Sequence, residues 1–230
     1  MIERKYEFSG ALRLNHWIRV ITLLVLIVTG FYLANPFLMP YISDEPVNFM
    51  NALWRFWHLV FGFVLIATTI FKVYLFIFDK QSRNERVSFF DFISPKIWIQ
   101  QIKYYLLIGS HPEGKGIYNP LQFISYFMIF VTLFIVSLTG LILYIHVYHE
   151  GLGGLLFPLL RLIEVLMGGL SNVRAIHHIT MWIFLIFIPI HIYMAVFNSV
   201  YGKSGSMDTI FSGYSWHKKH GKDKEEKTKS

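Results

Sequence analysis

The sequence predicts an all-α integral membrane protein, a four-helix transmembrane bundle, and three observations predict it. Of the 230 residues, 54% are apolar and only 15% charged, whereas soluble domains carry roughly 25% charged residues. The 22 Phe, 13 Tyr and 6 Trp crowd into four long apolar runs, each near or above the ~20 residues that a helix needs to cross a bilayer. Lys and Arg also collect in alternate connections between the runs, the pattern that sets orientation in membrane proteins. The same composition excludes a soluble sandwich, a dinucleotide-binding fold and a DNA-binding domain. The net charge of +7 therefore belongs to the membrane side and not to nucleic acid.

In chain order, the spans are expected over about 15–34, 54–78, 120–146 and 176–198. The first follows Arg4, Lys5 and Arg13, as a secretory signal would. Its apolar stretch from Ile18 to Ala34 is longer than a signal's hydrophobic region, so it reads as an uncleaved anchor. The connection over 35–53 has no Lys or Arg and carries Asp44 and Glu45. The next connection holds Lys80, Arg83, Arg86, Lys96, Lys103 and Lys115, the third only Arg161 and Arg174, and the tail from Lys203 to Lys229 is rich in lysine. Positive charge stays on the cytoplasmic side, so both termini are expected there. The third connection contains the apolar run LLFPLLRLIEVLMGGL. Pro158, the pair Arg161 and Glu164, and its short apolar length favour an outer interfacial helix over about 155–167 rather than a fifth span. Residues 1–216 then form one unit, and 217–230 a charged, disordered tail.

Absence of cysteine removes disulfides, iron–sulfur clusters, thiolate zinc and covalently attached haem from consideration. Any metal must rest on histidine or carboxylate. Four of the histidines, His16, His58, His177 and His191, lie in or at the edge of the runs, where ionisable groups are costly and point to function. His177 and His191 are fourteen residues apart, which at 100° per residue falls within about 40° of four full turns and spans about 21 Å. Both therefore share a face, one near each side of the bilayer, whereas His178 points nearly opposite to His191. Arg13, Arg55 and Arg174 each precede a histidine by three residues, one turn away on the same face. Guanidinium groups there suit the propionates of a haem leaving the apolar core; each arginine also reads as an ordinary snorkelling residue. Two imidazoles per iron suit an electron-transfer haem. His58 and His177 open spans on the outer side and form one pair; His16 and His191 form the inner one. Gly30, Gly62 and Gly140 fit either close approach of a macrocycle or helix packing.

With these residues in place, the chain resembles the cytochrome b subunit of membrane-bound nickel–iron hydrogenases and, more distantly, that of respiratory formate dehydrogenases. The resemblance rests on R-x-x-H-W at Arg13–Trp17, Thr29-Gly30, R-x-x-H at Arg55–His58, the run GIYNPLQ from Gly116 to Gln122, and R-x-x-H-H at Arg174–His178 with His191 beyond. It implies a subunit of the bacterial inner membrane with two b-type haems, held axially by His16, His58, His177 and His191. Its partners would be a hydrogenase iron–sulfur small subunit with a membrane anchor and, through it, the nickel–iron large subunit. It also implies quinone, menaquinone or ubiquinone, as acceptor, at Tyr118, Asn119 and Gln122, although Asn119-Pro120 reads equally as a helix cap and its N1 proline. The function so implied carries electrons from the periplasmic partner to membrane quinone, with quinone protonation as the only substrate chemistry in this chain. Two alternatives stay open: the equivalent subunit of a formate dehydrogenase or similar oxidoreductase, and a transporter or channel using the histidines as a proton relay.

Overall fold

A computed structural model describes residues 2–38, 50–106, 108, 116, 118–200 and 206–218. Asp44, Glu45, Lys115, Lys203 and the tail lysines from Lys219 onward lie outside the described residues. Among the described residues, four helices are long and apolar enough to cross a membrane. They are α1 (Gly10–Ala34), α2 (Met50–Phe78), α5 (Pro120–Ile145) and α7 (Leu170–Val200). Between them lie α3 (Ser82–Ile93), α4 (Pro95–Tyr105) and α6 (Leu152–Leu166), and α8 (Ser206–Ser212) follows α7.

Polar residues fix where helices begin. The Ser9 hydroxyl accepts the Leu12 amide to cap α1 and donates to Asp79 at 2.6 Å, just beyond α2. Pro95 and Pro120 each stand in the first turn of a helix, where the missing N–H costs nothing and the fixed φ is already helical. The exterior of the four long helices is apolar: Ile70, Phe134 and Ile186 are each about three-fifths exposed, a surface stable against lipid rather than water. Inside, Leu65, Leu133 and Phe184 form a mid-bundle core. Ile142, Ile145, Leu160 and Val173 form a second where α5, α6 and α7 meet. Buried threonines satisfy their hydroxyls on carbonyls of their own helix, as Thr68 and Thr69 do on Leu65 and Thr132 on Met128. Such self-satisfaction is what a water-free environment demands.

The all-α expectation needs one amendment. β1 (Ile2–Tyr6) pairs antiparallel with β2 (Tyr214–Lys218), Ile2 opposite Lys218 and Tyr6 opposite Tyr214. His217 and Lys218, read from sequence as the start of a disordered tail, belong to this strand. Five-residue strands whose partners lie some two hundred positions apart give no periodic signal of their own. Arg4 stacks on the Tyr214 ring at 3.8 Å, a cation–π contact. The pairing sets β1 and β2 at one end of the bundle, hereafter the sheet end, with α3, α4 and α8; α6 marks the other.

Candidate metal centres

Near the α6 end, the rings of His58 on α2 and His177 on α7 lie 6.3 Å apart between centroids, at 71°. Near the sheet end, His16 on α1 and His191 on α7 lie 6.3 Å apart at 51°. A metal bound axially by two imidazoles needs two bonds of about 2.0–2.1 Å plus about 1.1 Å from each nitrogen to its ring centre, about 6.2–6.4 Å in all. Both separations therefore fit a single metal atom. No group of three or more His, Asp or Glu converges among the described residues, so each pair offers two axial nitrogens and no equatorial donors. That donor set suits iron already held in a porphyrin, and without cysteine the porphyrin would be bound non-covalently, as b-type haem is.

Threonines fix the rings at the α6 end. Thr29 Oγ1 lies 2.8 Å from His58 Nδ1 and donates its own proton to the Val25 carbonyl at 2.8 Å. A hydroxyl has one proton, so Thr29 accepts from Nδ1–H and leaves the Nε2 lone pair for a metal. Thr139 repeats the device: 2.9 Å to His177 Nδ1 and 2.8 Å to the Ile135 carbonyl. Beside each threonine is a glycine at which an added Cβ would stand 3.4 Å from a histidine Cε1, Gly30 against His58 and Gly140 against His177. A larger side chain at either position would displace the ring. At Gly62 a Cβ would meet nothing within 4 Å. An apolar cavity of about 500 Å³ lies along α1 and α2, lined by Val28, Trp54, Trp57 and the His58 partner Thr29 among others.

The sheet-end pair is set differently. His191 stacks on Phe187, centroids 5.3 Å apart, and meets Tyr126 edge-on at 5.8 Å. A second apolar cavity, about 390 Å³, lies between α5 and α7 and is lined by Phe187 and Thr132. His178 stays outside both centres: it is exposed, and its Nε2 accepts from Trp182 Nε1 at 3.2 Å.

The arginines are disposed unequally. Arg13 donates to the Phe211 carbonyl on α8, while its Nε is buried without a partner. Arg55 and Arg174 are exposed. Arg19, one turn after His16, donates to the Thr68 carbonyl at 2.8 Å, and its Nε too is buried and unpaired.

Tyr118, Asn119 and Gln122 gather where α5 begins. Asn119 Oδ1 accepts the Gln122 amide at 2.8 Å and Gln122 Oε1 accepts the Asn119 amide at 3.2 Å, a capping box. The two oxygens are thus occupied, while the amide nitrogens remain donors; Asn119 Nδ2 reaches the Tyr105 hydroxyl at 3.3 Å. Burial raises the Tyr105 hydroxyl above its ordinary value. Gln101 of α4 is 2% exposed and approaches the Tyr105 hydroxyl, where its side chain acts against the effect of burial. Tyr118 donates to Glu85 Oε1 at 3.2 Å and packs 4.8 Å from Tyr126, which in turn touches His191. Burial first, and the Glu85 charge second, raise the Tyr118 hydroxyl well above its ordinary value.

Sequence reasoning missed Thr29 and Thr139 as hydrogen-bond partners, although the Thr-Gly repeat was visible. It also missed Lys72, whose position inside an apolar run was itself a signal, and Glu85, Gln101 and Tyr126, which carry none.

Set beside known proteins, the chain is similar to several cytochromes. It is 27% identical over 221 residues to a probable Ni/Fe-hydrogenase B-type cytochrome subunit of Rhizobium leguminosarum bv. viciae, covering 92% of this chain and 90% of that one. A protein of the same name from Azotobacter vinelandii is 28% identical over 218 residues, covering 91% and 87%. The probable Ni/Fe-hydrogenase 1 B-type cytochrome subunit of Escherichia coli K12 is 26% identical over 225 residues, covering 93% and 91%. The family model of prokaryotic cytochrome b561 matches residues 7–213, a stretch that includes all four paired histidines and both Thr-Gly steps. That match covers most of the chain, and the chain belongs to the prokaryotic cytochrome b561 family.

Proposed function

We propose that this chain is the dihaem b-type cytochrome subunit of a hydrogenase and carries electrons across the membrane to quinone. The observation that carries the reading is the presence of two histidine pairs, each 6.3 Å apart, at two levels of one helix. His16 with His191 and His58 with His177 would hold two haems b, whose iron supplies one-electron redox chemistry. The residues do the rest. Thr29 and Thr139 hold the imidazoles in the metal-binding tautomer, Gly30 and Gly140 keep side chains out of their way, and apolar walls exclude water. Arg13 and Arg19, each with an unpaired buried Nε, and Arg55 and Arg174 near the other pair, supply cations for propionates. The geometry favours haem over a proton relay, because the His58 and His177 Nδ1 atoms are spent sideways on threonines instead of linking one ring to the next.

The sheet end would be cytoplasmic, since Arg4, Lys5, Lys80, Arg83, Arg86, Lys96 and Lys103 cluster there and positive charge is retained inside. The partner is inferred from the relatives' names: a Ni/Fe-hydrogenase, whose iron–sulfur small subunit would meet the His58/His177 centre. Electrons would pass to the His16/His191 centre and then to quinone at Tyr118, Asn119 and Gln122. The Gln122 amide N–H groups, and the Asn119 N–H not given to Tyr105, are donors of the kind a quinone carbonyl needs.

The test separates donor from cap. Asn119→Asp and Gln122→Glu keep the oxygens of the capping box and remove the amide N–H groups. Both variants of the assembled complex should retain two haems and dye-linked hydrogen oxidation while losing quinone reduction. Normal quinone reduction in both would remove these residues from the site.

A further inference from the structure

Three elements meet at the sheet end around one buried carboxylate. Glu85 of α3 is 4% exposed, and Lys72 Nζ of α2 lies 2.8 and 3.1 Å from its two oxygens. The Lys72 side chain is 24% exposed, so the ion pair runs from a partly open ammonium to a closed carboxylate. On the carboxylate's far side stands the Tyr118 hydroxyl, donating at 3.2 Å. Only the Tyr126 ring separates Tyr118 from His191. A tether between α2 and α3 does not by itself call for this pair. Two buried charges forfeit hydration that their attraction barely restores, and apolar residues of similar size hold helices together as well or better.

We propose, resting on the quinone site at Tyr118, Asn119 and Gln122, that Lys72 and Glu85 deliver the protons consumed by quinone reduction, through the Tyr118 hydroxyl. Quinone takes two electrons and two protons to become quinol, and the electrons would come from the haem that His16 and His191 would hold. As the quinone oxygen gains charge, the Tyr118 O–H bond breaks and a new O–H bond forms on that oxygen. The Lys72 ammonium gives a proton to the Glu85 carboxylate, the resulting carboxylic acid reprotonates the Tyr118 oxygen and returns to carboxylate, and a proton taken from water at the sheet end reloads the Lys72 amine, the hydroxide leaving to solvent. Two passes yield quinol and restore the chain. The groups facing Glu85 are Lys72 from α2 and Tyr118 and Tyr126 from the α5 region; Glu7, before α1, adds its charge around Tyr118. Burial and the Glu85 charge keep Tyr118 protonated at rest, so it gives up its proton only to a reduced acceptor.

The experiment uses the purified hydrogenase complex with hydrogen as donor and decylubiquinone or 2,3-dimethyl-1,4-naphthoquinone as acceptor. Glu85→Gln should retain both haems and their rate of reduction by hydrogen, yet slow quinone reduction by about a hundredfold, the usual loss of a proton donor. The haems should stay reduced in steady state, the solvent deuterium isotope effect should rise, and Glu85→Asp should restore part of the rate. If Glu85→Gln does not assemble, Tyr118→Phe, which keeps the ring and removes the hydroxyl, carries the same expectation. A wild-type rate and isotope effect in Glu85→Gln, with Asn119→Asp and Gln122→Glu inactive, would overturn proton delivery alone. Wild-type quinone reduction in all of these variants would overturn the quinone site and, with it, the relay.

Discussion

At His58 and His177 the Nδ1 atom lies within 2.9 Å of a threonine hydroxyl whose proton already serves its own helix. Hydrogen bonds of this kind to a ligand imidazole fix its orientation, and their loss typically lowers metal affinity by about 10–100-fold. Thr29→Val should speed haem transfer from the complex to apomyoglobin by that order, and Thr29→Ser should restore retention. Unchanged transfer in Thr29→Val would assign the hydroxyl to its own helix only. His177→Ala should remove the haem at the α6 end, whereas His178→Ala should leave both spectra intact, because His178 is exposed and engaged with Trp182. The pairing of His177 with His58 is legible in the sequence because helical spacing aligns His177 with His191. The threonine contacts are not, since each joins residues on different helices and the same Thr-Gly step also suits plain packing.

The start of α5 is capped by Asn119 and Gln122, and the proposed quinone site would use the same two side chains. Asn119→Ala should weaken the cap by about 1 kcal/mol, read as a lower melting temperature, while Asn119→Asp keeps the acceptor and most of that stability. Only their common loss of the amide donor should appear in quinone reduction. α6 is a second case. Its 15 residues rise about 22 Å, short of the ~30 Å hydrocarbon core, and its one buried charge, Glu164, is paired with Arg161 and with His146 at 2.6 Å. Those bonds, Arg161 first, hold the Glu164 carboxyl below its ordinary value of about 4.5. A lowered folded value means that the stabilisation is complete above the ordinary value and is lost as pH falls from there through the lowered one. Amide hydrogens of α6 should therefore lose exchange protection in acid, and Glu164→Gln should lose it at neutral pH. Protection unchanged by both treatments would show that the apolar contacts of Leu160 alone dock the helix.

Across the whole molecule, composition makes the four apolar helices legible, and the alternation of charge suggests their orientation. The strands and the short helices α3, α4 and α8 are not legible, because they are brief and polar and are defined by partners distant in sequence. They nonetheless join distant parts of the chain: β1 pairs with β2, and α3 brings Glu85 to Tyr118. On the proposed reading, the path along α7 from His177 to His191 would join a hydrogen-oxidising partner on one side to quinone and its proton supply on the other. All of this rests on each histidine pair holding one iron. The most direct measurement is the haem content of the purified chain, by pyridine haemochrome against amino-acid analysis. Two extractable haems b per chain, both low-spin by electron paramagnetic resonance, are the predicted result; one or none, or a high-spin iron with an open axial position, would contradict it.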